Sequence, residues 1–86
     1  MIYVLARHID DARSYAFQNG VERRSMVYVG QSWNLPRTLH ETDRIVRTAH
    51  CEGHPAHAEL ERMLAHTVLT SGLTETRDGR LVRRQD

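Results

Sequence analysis

The segment Ile2-Tyr3-Val4-Leu5-Ala6 constrains this chain more than any other. Five apolar residues rich in β-formers are too few for a helix. They show no alternation with polar residues, so they read as a strand buried on both faces. A strand of that kind needs a packed layer on each side of its sheet, and an α/β architecture is expected.

The next residues supply a first covering layer. In His8-Ile9-Asp10-Asp11 the carboxylates can accept from free helix N–H groups and oppose the positive end of the helix dipole. Ala12, Tyr15, Ala16 and Asn19 share one helical face, with Ile9 one turn before Ala12. Asn19-Gly20 then stops the helix, and Val21 is placed to close the cap. A helix over residues 10–19 is predicted. Met26 to Gly30 (MVYVG) is a second buried strand, and the order strand, helix, strand suggests a right-handed βαβ unit with parallel pairing. Gln31 to Asp43 is a connection, with Pro36 excluding a long helix through its middle. Arg44 to Ala49 (RIVRTA) reads as a third strand whose arginines suit an edge. The first strand, the most uniformly apolar, should be central.

A second helix is predicted from Pro55, favoured in a first helical turn, to Ser71, with Gly72 terminating it. Ala56, Leu60, Met63, Leu64, Thr67 and Val68 form its apolar stripe, and Glu59, Arg62 and His66 face away. Leu69 and Leu73 lie off or beyond that stripe. In the remaining LTETRDGRLVRRQD, Asp78-Gly79 favours a type I′ hairpin turn between Thr74–Arg77 and Arg80–Arg83. Such polar arms are marginal in isolation, so a disordered tail is the alternative. The expected fold is therefore a small three-stranded parallel sheet, Rossmann-like in βαββα order, with a long C-terminal helix. Residues 1–72 form a single domain, and residues 73–86 an arm, hairpin or flexible tail.

The pattern VLARHIDDARSYAFQNG, followed by MVYVG and NLPRTL, resembles a group of small uncharacterised actinobacteriophage proteins. The resemblance covers roughly residues 3–50. It implies an abbreviated Rossmann-like fold and a phage origin, and it carries no activity or functional residues.

Composition narrows the functional classes. The chain has 86 residues, enough for one domain, and a net charge of +1, too balanced for a general affinity for nucleic acid or anionic membrane. A domain of this size buries roughly 60% of its unfolded surface, so a partner subunit would help it. One cysteine excludes an intrachain disulfide. No apolar run reaches a membrane span, and Met1–Leu5 lacks a basic leader, so a cytoplasmic protein is expected. All 12 basic residues are arginine, which fits a GC-rich genome or guanidinium recognition of phosphates.

In an open parallel sheet, ligands bind beyond the carboxyl ends of the strands. The loops there carry Arg7 and His8, then Gln31, Ser32 and Trp33, then His50 and Cys51. The first loop has no glycine through which a backbone could approach pyrophosphate, so a dinucleotide site is not expected. The third loop belongs to His50-Cys51-Glu52-Gly53-His54-Pro55-Ala56-His57. Cys51, His54 and His57 at x2, x2 spacing could ligate zinc, with His50 or His8 as a fourth ligand. The alternative is that this segment is mainly the start of a helix, with His54 at or beside the N-cap and no cofactor. Cys51 could be a nucleophile lowered by a helix N-terminus, or a buried thiol at a strand end. Trp33 could cap the sheet edge or anchor a partner. The run Arg80-Leu81-Val82-Arg83-Arg84 could touch nucleic acid, with a solvated or interface arm as the alternative.

Three functional expectations follow. The first is a small non-catalytic interaction or accessory protein that self-associates or binds a host or phage protein. The second is a small enzyme or metal-binding protein using the His/Cys cluster. The third is arginine-mediated nucleic-acid binding.

Overall fold

A computed structural model describes residues 1–85. The chain is α/β, with a three-stranded parallel sheet, two α-helices and an antiparallel hairpin. β1 (Ile2–Leu5) lies between β2 (Met26–Tyr28) and β3 (Arg44–Arg47), parallel to both. The central place of β1 and the edge place of β3 agree with their composition. The strands are shorter than expected: Gly30 turns away after β2, and Thr48 leaves β3 after its amide donates to Leu5 O, 3.0 Å.

Alternation along the strands divides the core in two. Tyr3, Leu5, Val27, Val29 and Ile45 point to one face and pack with Leu60, Leu64 and Val68 of α2 (His57–Thr70). Val4 and Ala6 point to the other and pack under Ala12 of α1 (Ile9–Gln18), with half-buried Tyr15, Met26, Tyr28 and Val46 around them. The sheet thus has a layer on each side, as the doubly buried β1 requires.

α1 begins one residue earlier than the sequence suggested, because His8 caps it: its Nδ1 accepts from Asp11 N at 3.4 Å. It ends as expected. Gly20 takes a positive φ of 65°, and Val21 N donates to Ala16 O at 2.9 Å. α2 begins later than expected. Pro55 lies in the turn before it, and Ala56 is the N-cap. The His54 imidazole explains the delay, since its Nδ1 accepts from Ala56 N at 3.0 Å and holds a separate turn there.

Residues 73–83 form a hairpin, β4 (Leu73–Glu75) with β5 (Leu81–Arg83). Its loop is not type I′. Only Gly79 takes a positive φ, 83°, while Asp78 stays in the ordinary region and binds the Thr76 hydroxyl. Thr76 N donates to Arg80 O at 2.8 Å and Gly79 N to Thr76 O at 3.0 Å. This hairpin is part of the core: Leu73 and Leu81 are buried in the α2 cluster, so Leu73 is not a leftover apolar group. The loop also covers the outer edge of β3. Ile45 N donates to Gly79 O at 2.8 Å, and Arg44 bridges Arg80. A Cβ at Gly79 would stand 1.9 Å from Ile45 O, so only glycine permits that approach.

The connection between β2 and β3 is fastened by Leu39, which is buried in the same cluster and whose amide donates to Ser71 Oγ at 2.9 Å. No helix among the described residues is long and apolar enough to cross a membrane.

Candidate functional site

Parallel pairing brings the carboxyl ends of all three strands to one edge. The centre of that edge is Asp11, in the first turn of α1. One carboxylate oxygen accepts from Arg7 N at 3.0 Å and from the Thr48 hydroxyl at 2.5 Å. It thereby ties the end of β1, the start of α1 and the end of β3. The Thr48 bond, with help from the Arg7 amide and nearby His50 and His8, holds this carboxyl below its ordinary value. Asp11 is therefore an ionised acceptor at neutral pH.

Two joined hollows open beside it. One, of about 220 Å³, lies among Arg7, His8, Asp11 and His50. The other, of about 500 Å³, runs between α1 and the end of β3 past Ser14, Tyr15, Gln18 and Thr48. The topology explains the second. The crossover from β1 to β2 places α1 over those two strands, leaving β3, among the described residues, with no helix above it on that face. Tyr28, at the end of β2, also reaches this region. Its phenol is raised by burial and by the charge of Asp11, and its ring meets His54 edge-on at 6.5 Å between centroids.

The segment 50–57 is divided among different environments. His50 faces Asp11 and the open hollow. Cys51 is buried with Leu60 and Leu64, and burial followed by the charges of Glu61 and Glu52 pushes its thiol up. That direction suits packing rather than nucleophilic attack. Gly53 lies against the stem of Arg7; a Cβ there would be 3.2 Å from the arginine Cγ and Cδ. His54 is held by Ala56 N and Tyr28, and His57 Nε2 is 4.0 Å from Glu61. Among the described residues no three His, Cys, Asp or Glu side chains are grouped to hold a metal ion.

The second loop stands apart from these hollows. Gln31, Ser32 and Trp33 enter a short 3-10 turn whose Asn34 Oδ1 accepts from Gly30 N at 3.1 Å and Gln31 N at 2.9 Å. Trp33 projects from that fixed turn and is 76% exposed, so it does not cap the sheet. The arginine-rich run is also partly committed: Arg80 pairs with Asp78 at 3.2 Å and Arg83 with Glu41 at 2.9 Å.

No family model, curated protein or solved structure matches the chain. The functional reading therefore rests on these side chains.

Three groups of consequence were not singled out from the sequence. Thr48 carried a signal, since a hydroxyl one residue past β3 must lie at the strand ends. Tyr28 carried another, by alternation with Val27 and Val29. The third is Arg47, two residues after Ile45 on the α2 face, where an arginine needs carboxylates. It has two: Glu61 Oε2 at 2.8 Å and Glu75. These bonds hold Arg47 firmly protonated and lower the Glu61 carboxyl.

Proposed function

We propose that this is a small interaction protein without chemistry of its own. It works as a self-associated unit that presents Trp33 to a host or phage protein in the cytoplasm of an infected bacterium. The observation that carries the reading is Trp33: a large aromatic side chain, 76% exposed, on a turn fixed by Asn34. A backbone turn fixed before binding loses little freedom when its aromatic is covered, and aromatic residues dominate interface energetics. The marginal core of an 86-residue chain supports self-association. The parallel β1–α1–β2 unit supports a Rossmann-like origin of the abbreviated kind.

Affinity capture from an actinobacterial lysate, with wild type beside Trp33→Ala, tests the reading. A protein retained by wild type and lost with Trp33→Ala, at unchanged melting temperature, is the expected result. Identical retention by both would remove Trp33 from the interface. No metal is assigned to Cys51, His54 and His57, given the buried thiol and the engaged His54 imidazole. Near-stoichiometric zinc in untagged protein, with a large fall in melting temperature on chelation, would overturn that assignment.

A further inference from the structure

We infer that the second copy of this chain joins along β4, its strand antiparallel to the first about a two-fold axis at Thr74. This rests on the self-association in the reading above, and it names the surface.

β5 lies beside the start of β3, bridged through Arg44 and Arg80 and tied by Arg83 to Glu41. β4 is then the outermost strand on that side. Its pairing alternates: Thr76 N donates to Arg80 O and Arg84 N to Gly72 O, which makes Thr74 and Val82 the next hydrogen-bonded pair. The amides and carbonyls of Leu73 and Glu75 therefore point outward, along an uncovered edge.

α2 overhangs that edge. Ala65 and Leu69 form the roof of a hollow of about 260 Å³ floored by Leu73, Thr74 and Glu75. Leu69 is 52% exposed. A strand added to β4 would lie beneath this roof, and the two-fold would bring the Leu69 side chains of both copies together.

Charge selects a second copy as the occupant. The edge carries Arg84 at its Leu73 end and Glu75 at the other. Arg84 has no carboxylate partner among the described residues; it donates to Leu69 O at 3.2 Å. Glu75 shares the single Arg47 cation with Glu61, leaving negative charge in excess. Antiparallel pairing with Leu73 opposite Glu75 sets Arg84 of each copy beside Glu75 of the other. Such an edge is complementary to itself under two-fold rotation.

The test combines sedimentation equilibrium with cross-linking. Wild type is expected to dimerise at micromolar concentration. Leu69→Arg, at an exposed position, should raise the dimer Kd roughly tenfold or more without changing the circular dichroism spectrum. Thr74→Cys should form a symmetric disulfide on mild oxidation, with wild type, whose Cys51 is buried, as the control. A wild type that stays near 10.0 kDa throughout overturns both the inference and the self-association beneath it. A dimer indifferent to Leu69→Arg, with no Thr74→Cys cross-link, overturns the β4 surface alone.

Discussion

The two faces of the sheet are built to different standards. Under α2 and the hairpin, Leu39, Ile45, Leu60, Leu64, Val68, Leu73 and Leu81 fill the space with branched side chains drawn from residues 39 to 81. Under α1 the fully buried set is Val4, Ala6 and Ala12, ringed by half-buried residues. α1 even carries Phe17 outward, 89% exposed. Small residues let α1 lie close to β1, but they bury little apolar area, and they leave the flank of β3 open. One face therefore holds the fold together, and the other leaves room at the strand ends.

The largest test of that contrast is Leu64→Ala. It should cost about 2–5 kcal/mol by transfer and cavity terms. Val46→Ala, half-buried on the α1 face, should cost nearer 1 kcal/mol. Urea denaturation of both measures the difference, and equal losses would abolish the contrast. Gly79→Ala comes next, because Cβ would meet Ile45 O and φ is positive. It should cost about 2–3 kcal/mol, and the amide of Ile45 should lose protection in hydrogen exchange. Gly20→Ala, with a similar φ but open space, should cost about 1–2 kcal/mol and leave that amide protected.

Arg47→Gln probes the polar margin of the stronger face. It removes the cation between Glu61 and Glu75 and should cost about 1–2 kcal/mol at pH 7, allowing for partial exposure. Because the folded Glu61 carboxyl lies below its ordinary value of 4.5, its contribution is fully present above that pH. It is lost as pH falls through the lower folded value. The acid limb of the melting curve should be shallower in Arg47→Gln, and an unchanged limb would detach this cluster from stability. Asp11→Ala, on the weaker face, should lower stability by about 1 kcal/mol, as loss of a helix-start acceptor does. Asp11→Asn, which keeps an oxygen acceptor for Arg7 N and Thr48, should recover part of it in the same melts.

The stronger face was only partly legible in the sequence. The IYVLA run and the Leu60–Leu64–Val68 stripe declare themselves through periodicity, which is local. Leu73 and Leu81 do not: Leu73 stands between Gly72 and Thr74, Leu81 beside Val82 in an arginine-rich run, and their burial goes with the Gly79 approach to β3, more than thirty residues away in the chain. The same approach bears on the turn type, since Asp-Gly suits more than one loop and this one turns the Gly79 carbonyl toward the Ile45 amide. At the strand ends, the neighbourhood of Arg7, His8 and His50 followed from parallel topology alone. The double role of Asp11 depends on strand register, and the burial of Cys51 on how the segment before α2 coils. Neither leaves a pattern in composition.

The anchoring of Leu39 bears on where this chain tolerates a break. Arg37 and Thr38 are exposed, on the solvent side of the point where Leu39 enters the core. Cleavage between them would leave β1, α1 and β2 on one fragment and β3, α2 and the hairpin on the other. Leu39 would stay with the fragment whose Ser71 it holds. The two pieces would then meet along the β1–β3 pairing, and both layers of the core would close across the join, Tyr3, Leu5 and Val29 against the α2 side and Val46 against Val4 and Ala6. That makes the 37–38 bond the natural seam for protease nicking, for circular permutation, or for reconstituting the protein from two separately made halves.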